Sequence, residues 1–183
     1  GDHIEWVQTE SPAETLRKVF VPHALALREA AVLGDAPVAL ATLEAHRMLC
    51  AHRRGRFGVA YWNRQVERWL AEQTEMPLWD PWYPGRPVLV TANDYGLGLY
   101  NGDTGVAVVR DGVLRAVMSG SASSQSLRFC PQGAGPVELA TTRLADIETM
   151  HAMTIHKSQG SQAAEVTVLL PPPDSRLLTR ELL

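Results

Sequence analysis

The sequence predicts an α/β domain interrupted by a small all-β module. Three observations point there. Apolar residues recur at helical spacing through the first third of the chain. A proline-rich stretch, MPLWDPWYPGRP at residues 76 to 87, then ends that pattern. Beyond it, short apolar runs alternate with Gly-rich turns, until a strand–turn–strand pattern returns near residue 138.

The elements follow in order. HIEWVQ at residues 3 to 8 suits a short strand. Ser11, Pro12 and Glu14 form a helix start, with Ser11 as N-cap, Pro12 at N1 and Glu14 completing a capping box. Leu16, Val19 and Phe20 continue at helical spacing, and Pro22 is expected to kink or break the helix. A second helical stretch runs from His23 to about Leu33, where Gly34 ends it. APVALATLEAH at 36 to 46 suits a short helix, and RMLCAH at 47 to 52 reads as a buried strand. A basic loop, RRGRFG, leads into a helix from Val59 to Gln73, with Trp62, Val66, Trp69 and Leu70 on one face. In the β module, runs at 88–94, 104–110 and 113–119 are strand-like, and Asp111-Gly112 joins the last two as a hairpin. LRFC at 127 to 130 is a further candidate strand. VELATTRL at 137–144, MHAMTIH at 150–156 and EVTVLLP at 165–171 are read as the returning strands. The predicted division is therefore 1–75 for the first α/β part, 76–137 for the β insert and 138–183 for the second α/β part.

Composition narrows the classes. At 183 residues, and roughly 150 per domain, one or two domains fit. A chain that is 45% hydrophobic and 20% charged is an ordinary globular one, not a disordered, collagenous or disulfide-scaffold chain. No run approaches the roughly 20 apolar residues of a membrane helix, and no signal peptide is visible. Cys50 and Cys130 lie far apart in no metal-ligand spacing, which places the chain in the reducing cytoplasm. His151 and His156 have no partner carboxylate or Cys at ligand spacing, so no metal site is expected. No GxSxG occurs, so a serine hydrolase is unsupported.

The charge is uneven. The net value is −3, which by itself predicts no nucleic-acid partner. Yet Arg47, Arg53, Arg54, Arg56, Arg64 and Arg68 lie close together with Glu67 as the one acid among them. Two readings fit this window: a solvated helix face, or a track for a polyanion.

The stretch richest in chemistry is TIHKSQGSQ, Thr154 to Gln162. It sits between two apolar strands, at the carboxyl end of the first, where open α/β sheets place their ligand contacts. Its hydroxyls, imidazole, ammonium and amides suit phosphate oxygens, and Gly160 lets the backbone come close. An ordinary polar turn is the competing reading.

TIHKSQGS resembles motif V of superfamily 1 DNA helicases, in the form used by the RecD family, the alpha subunits of exodeoxyribonuclease V. RMLCAHRRGRFGVAYWNRQVERWL, from Arg47, is similar to the RecD region that opens the second RecA-like domain and includes motif IV. RPVLVTANDYGLGLYNGDTGVAVV, from Arg86, is similar to the start of the SH3-like insert of RecD-type helicases. The likeness covers most of residues 46 to 183, and residues 1 to 45 fit it only loosely.

The resemblance implies a RecA-like (P-loop NTPase-type) C-terminal helicase domain carrying an inserted small SH3-like β-barrel. It implies a 5′-to-3′ ATP-dependent helicase subunit, using ATP and Mg²⁺ and working with RecB and RecC on single- and double-stranded DNA in break repair and recombination. Thr154 and His156 match motif V positions that face single-stranded DNA, and Lys157 beside them is a further candidate DNA contact. Gln159 and Gly160 match the part of the loop near the nucleotide phosphates. Gln162 stands where the family usually has Glu, so an amide replaces the carboxylate that would accept a ribose hydroxyl. Arg53 matches a motif IV region arginine and is the candidate for the γ-phosphate, with a surface arginine beside Arg54 and Arg56 as the alternative. Asn63 matches a family Asn, with helix capping or packing as the alternative role. Asn93, Asp94, Asn101, Gly102 and Asp103 match the insert's NDY…YNGD pattern, which also serves β-turns directly. Asn93 and Tyr95 are candidate DNA contacts, Tyr95 and Tyr100 by stacking, with core or rim packing of the two rings as the alternative.

No GxxxxGK[ST] occurs, and no acidic pair resembles a Walker B site. The expectation is a piece of the motor that lacks the first RecA-like domain, binds DNA weakly and hydrolyses no ATP. The alternative is a nonenzymatic nucleic-acid or protein-binding module on a degenerate RecA-like scaffold.

Overall fold

The structure, a computed structural model, describes residues 3–9, 11–77, 79–119, 136–159 and 163–171. It contains two sheets. A parallel three-stranded sheet has the order β7-β1-β8, and an antiparallel five-stranded sheet has the order β5-β4-β3-β2-β6. Their strands are β1 (His46–Cys50), β2 (Pro87–Val90), β3 (Thr104–Arg110), β4 (Val113–Met118), β5 (Val137–Ala140), β6 (Ile147–Thr149), β7 (Met153–Thr154) and β8 (Glu165–Leu169). The helices are α1 (Ala13–Val32), α2 (Ala36–Ala45) and α3 (Val59–Thr74).

Several expectations change. Residues 3–9 form no strand, and Ile4 and Trp6 are exposed, because no neighbouring chain pairs with them among the described residues. The capping box does not form. Pro12 is itself the N-cap of α1 with no side-chain cap bond, and the Ser11 backbone N–H donates to Thr9 Oγ1 at 3.1 Å. Pro22 does not break α1, which runs through it for 20 residues. A mid-helix proline costs about 3 kcal/mol. Here Pro22 faces outward, while Phe20, Val21, Ala24 and Leu27 are buried and offset that cost by packing. The candidate strand LRFC lies outside the described residues.

The two sheets share a core. Leu27, Ala31, Ala39 and Leu43 of α1 and α2 pack with Leu49 and Met153 of the parallel sheet, and also with Leu89, Val106, Val108 and Val117 of the antiparallel one. The N-terminal helices therefore wedge between the sheets. On the other side, α3 lays Trp62, Val66, Trp69 and Leu70 against Phe20, Met48 and Cys50. Cys50 is fully buried, and burial pushes its thiol up to about 12. The antiparallel sheet has its own third cluster, built on Val88, Val90, Leu99, Ala116 and Met118.

The hairpin between β3 and β4 turns at Asp111 and Gly112, with φ of 50° and 75°. Both central residues at positive φ give the turn whose twist matches the strands. VELATTRL does not return the chain to the parallel sheet. Its first half is β5, paired with β4, and Thr141–Arg143 is a 3₁₀ turn. The antiparallel sheet then gains β6, paired with β2, and so runs to Thr149, beyond residue 137. MHAMTIH contributes only Met153–Thr154 as strand, because Met150 N–H bonds to Pro87 O at 2.9 Å and residues 155–158 wind into a 3₁₀ turn. Among the described residues, no helix is long and apolar enough to cross a membrane.

Candidate functional site

The parallel register sets the site. Cys50 at the end of β1 lies opposite Thr154 at the end of β7. The loops leaving these strands therefore emerge side by side, at the edge where α/β sheets hold ligands. The β1 loop carries His52, Arg53 and Arg54, and the β7 loop carries Lys157.

Local bonds hold both loops. The first free N–H groups of α3 turn back onto the β1 loop: Val59 N–H donates to His52 O at 3.0 Å and Ala60 N–H to Arg53 O at 3.2 Å. Gly58 lets this happen, since a Cβ there would meet the backbone of Arg54. On the other loop, Thr154 Oγ1 accepts from Lys157 N–H at 3.4 Å and caps the 3₁₀ turn. Ser158 Oγ donates to Ile155 O at 2.6 Å.

Between the loops lies an open cleft of about 820 Å³. Arg53, Arg54, His52, Lys157 and Thr154 line it, with Asn63 at its wall. Glu148 of β6 is the one carboxylate of that lining among the described residues. It pairs with Arg53 Nη2 at 3.4 Å and with Lys157 Nζ at 3.8 Å. The donor set suits the oxygens of a phosphate. It does not suit Mg²⁺, because the single carboxylate is already held by two cations.

Asn63 has a structural task that its match to the family only hinted at. Its Nδ2 donates to Thr149 O at 2.9 Å, and its Oδ1 accepts from Ala152 N–H at 2.8 Å. It thus pins the segment that crosses from β6 to β7. The entering and leaving segments of the β module are tied beside it. Arg86 Nε donates to Thr149 Oγ1 at 3.0 Å, and Tyr83 Oη lies 2.8 Å from His151 Nε2. Tyr83 donates its one proton to Glu67 Oε1 at 2.9 Å, so His151 Nε2 must donate to Tyr83. Burial is the main reason that the His151 imidazole falls to about 3, with His23 and Arg86 adding to it. Burial, and then Glu67, push the Tyr83 phenol well above its ordinary range.

The structure brings Arg53, Thr154 and Lys157 together. His156 and Gln159 are exposed and lie outside the cleft lining. Gly160 and Gln162 lie outside the described residues. Asn93 and Tyr95 sit on the β2–β3 connection of the antiparallel sheet, away from the cleft. There Asn93 Oδ1 accepts from Asn101 N–H at 2.8 Å, and Asn93 Nδ2 donates to Tyr95 Oη at 3.2 Å. Asp94 and Asp103 likewise accept from backbone N–H groups of this connection, at 3.0 and 2.8 Å. Tyr95 and Tyr100 meet edge-to-face at 6.2 Å. Within the basic window, Arg47 is buried in β1, while Arg53, Arg54, Arg56, Arg64 and Arg68 are exposed. The residue that sequence reading missed is Glu148, whose place depends on the long-range pairing of β6 with β2.

No protein-family profile matches the chain. Individual relatives do. Over 182 residues the chain is 63% identical to the RecBCD enzyme subunit RecD of Mycolicibacterium smegmatis, a match that takes in all of this chain and 30% of that protein. The RecBCD enzyme subunit RecD of Mycobacterium tuberculosis matches at the same 63% and the same coverage. The chain belongs to the RecD family. A more distant RecD family protein, the RecBCD enzyme subunit RecD of Haemophilus influenzae, is 33% identical over 140 residues, 74% of this chain. The chain thus spans about 30% of the length of the mycobacterial RecD relatives it matches.

Proposed function

We propose that this chain is part of a RecD-type DNA helicase motor and that its cleft holds phosphate. The observation that carries the reading is the meeting of Arg53, Thr154 and Lys157 at the carboxyl ends of β1 and β7. In this reading Thr154 and Lys157 meet the backbone of single-stranded DNA, with His156 and Gln159 on the outer side of the same turn. Arg53 faces the γ-phosphate of a nucleotide whose remaining contacts come from a P-loop domain outside this chain. ATP and Mg²⁺ serve the whole protein, and nothing in this cleft supplies the metal's ligands. Its partners are DNA and the RecB and RecC subunits, and its setting is double-strand break repair and recombination in the cytoplasm.

The antiparallel sheet is the SH3-like insert of that motor, and its pairing supports limits of about 76 to 149. The parallel sheet with α3 is the RecA-like portion. The alternative, a nonenzymatic DNA- or protein-binding module, draws support from the antiparallel sheet's own apolar cluster. One experiment separates the two. Arg53→Ala and Lys157→Ala are placed in the full-length protein, and DNA-stimulated ATP hydrolysis and unwinding are measured. The motor reading requires both activities to drop by about tenfold or more for Arg53→Ala. Full activity in both variants would remove the cleft from the motor.

A further inference from the structure

Arg53 and Lys157, the two cations that meet phosphate, come from different loops, and both are held by Glu148. That carboxylate comes from the antiparallel sheet, on the strand that leads back to the parallel one. Its backbone is well fixed. Glu148 lies opposite Leu89 of β2, Thr149 O is bonded by Asn63, and Met150 N–H is bonded to Pro87. Its neighbour Ile147 packs against the core of the antiparallel sheet, so the alternation of the strand turns Glu148 the other way, into the cleft.

We propose that Glu148 is a built-in competitor: its carboxylate holds Lys157, which meets DNA, and Arg53, which faces the nucleotide's γ-phosphate, and phosphate arriving at either cation displaces it. The inference rests on the phosphate reading of the cleft and adds a regulator to it. A carboxylate and a phosphate oxygen accept from the same donors, so one guanidinium and one ammonium cannot fully serve both. Arg53 and Glu148 are about half exposed or more, at 68% and 49% of their side chains, so the pairing is weak enough to exchange. Because Glu148 belongs to the β module, filling the cleft breaks a tie between that module and the loops after β1 and β7. Occupancy of the phosphate site is thereby felt by the insert.

The test uses the full-length protein that contains this chain, without nucleotide, and a fluorescein-labelled oligo(dT) strand, with affinity read by anisotropy. Glu148→Gln keeps size and hydrogen bonding and removes the charge. It is expected to tighten binding by roughly threefold, the release of Lys157 from one partly exposed ion pair. Asp146→Asn removes the same charge two residues away, outside the cleft lining, and serves as the control. Its gain is expected to be under about twofold at moderate salt, because screening weakens a charge that makes no contact. The gain from Glu148→Gln should vanish in an Arg53→Ala, Lys157→Ala background. If Asp146→Asn tightens binding as much as Glu148→Gln, or if the gain persists without the two cations, the displacement is overturned. If Lys157→Ala weakens binding by the wild-type protein but Glu148→Gln changes nothing, the competitor falls and the phosphate reading stands. If Lys157→Ala leaves the wild-type affinity unchanged and Glu148→Gln also changes nothing, both fall together.

Discussion

Lowering the pH from 7 to 5 should destabilise this protein by about 2 kcal/mol through His151 alone. An imidazole that titrates near 6.5 in the unfolded chain is held at about 3 in the folded one, chiefly by burial. Between those values the unfolded chain binds one proton more than the folded one, so stability falls as pH falls. Above about 6.5 neither state is protonated and the effect is absent. At pH 5 the unfolded side lies about 1.5 units above the ambient pH, and each unit is worth about 1.4 kcal/mol. Below about pH 3 the loss levels off near 5 kcal/mol. The charged ring would also carry a second N–H at Nδ1, beside the Nε2–H that already bonds Tyr83. The assay is urea unfolding followed by tryptophan fluorescence at pH 7, 6 and 5, for the wild type and His151→Gln. The Gln amide keeps a donor toward Tyr83 but does not titrate. Its stability should decline less steeply, by about 1 kcal/mol per pH unit between 6 and 5. Parallel declines in the two proteins would refute the assignment. His23 and His46 are also lowered by burial and supply part of the slope that remains.

Further outcomes follow from the same geometry. Asn63→Ala removes two hydrogen bonds and leaves Thr149 O and Ala152 N–H without that partner; it should cost roughly 2–3 kcal/mol in urea unfolding, with Asn63→Asp no better because Thr149 O loses its donor. Gly58→Ala should disturb the β1 loop more than the core, since its Cβ meets the Arg54 backbone; phosphate-dependent DNA binding should weaken severalfold while the melting temperature changes by only a few degrees. In a Cys130→Ser background, Cys50 should resist a thiol reagent at pH 8 and react once urea unfolds the chain, because the folded thiol is buried and held near 12. Trp62→Ala should cost about 3–5 kcal/mol, as the ring is enclosed against Trp69 in the α3 interface.

Much of the local structure was legible because it depends on neighbours in sequence. The spacing of Trp62, Val66, Trp69 and Leu70 defines the buried face of α3 without reference to the rest of the fold. Asp111-Gly112 names its own turn. Pro22 and the Ser11 capping box were misread for the opposite reason. Local rules gave Pro22 a break, and packing of Phe20 and Ala24 outweighed it. They gave Ser11 a cap, and the helix began one residue later on Pro12.

At the cleft the division is similar. TIHKSQG and the arginines after β1 stand out by composition, and the order of the motifs points to the RecD family. What sequence alone determined is therefore the set of groups that can meet phosphate, and the two strands that end beside them. The tertiary structure decided which of those groups share a cleft. The β1–β7 register put Arg53 near Thr154 and Lys157, while the 3₁₀ turn carried His156 outward. It withdrew Arg47 into the core. It brought in Glu148 through a β6–β2 pairing between segments almost 60 residues apart. Such pairings follow from closure of the whole sheet and its shared core, and no local pattern encodes them.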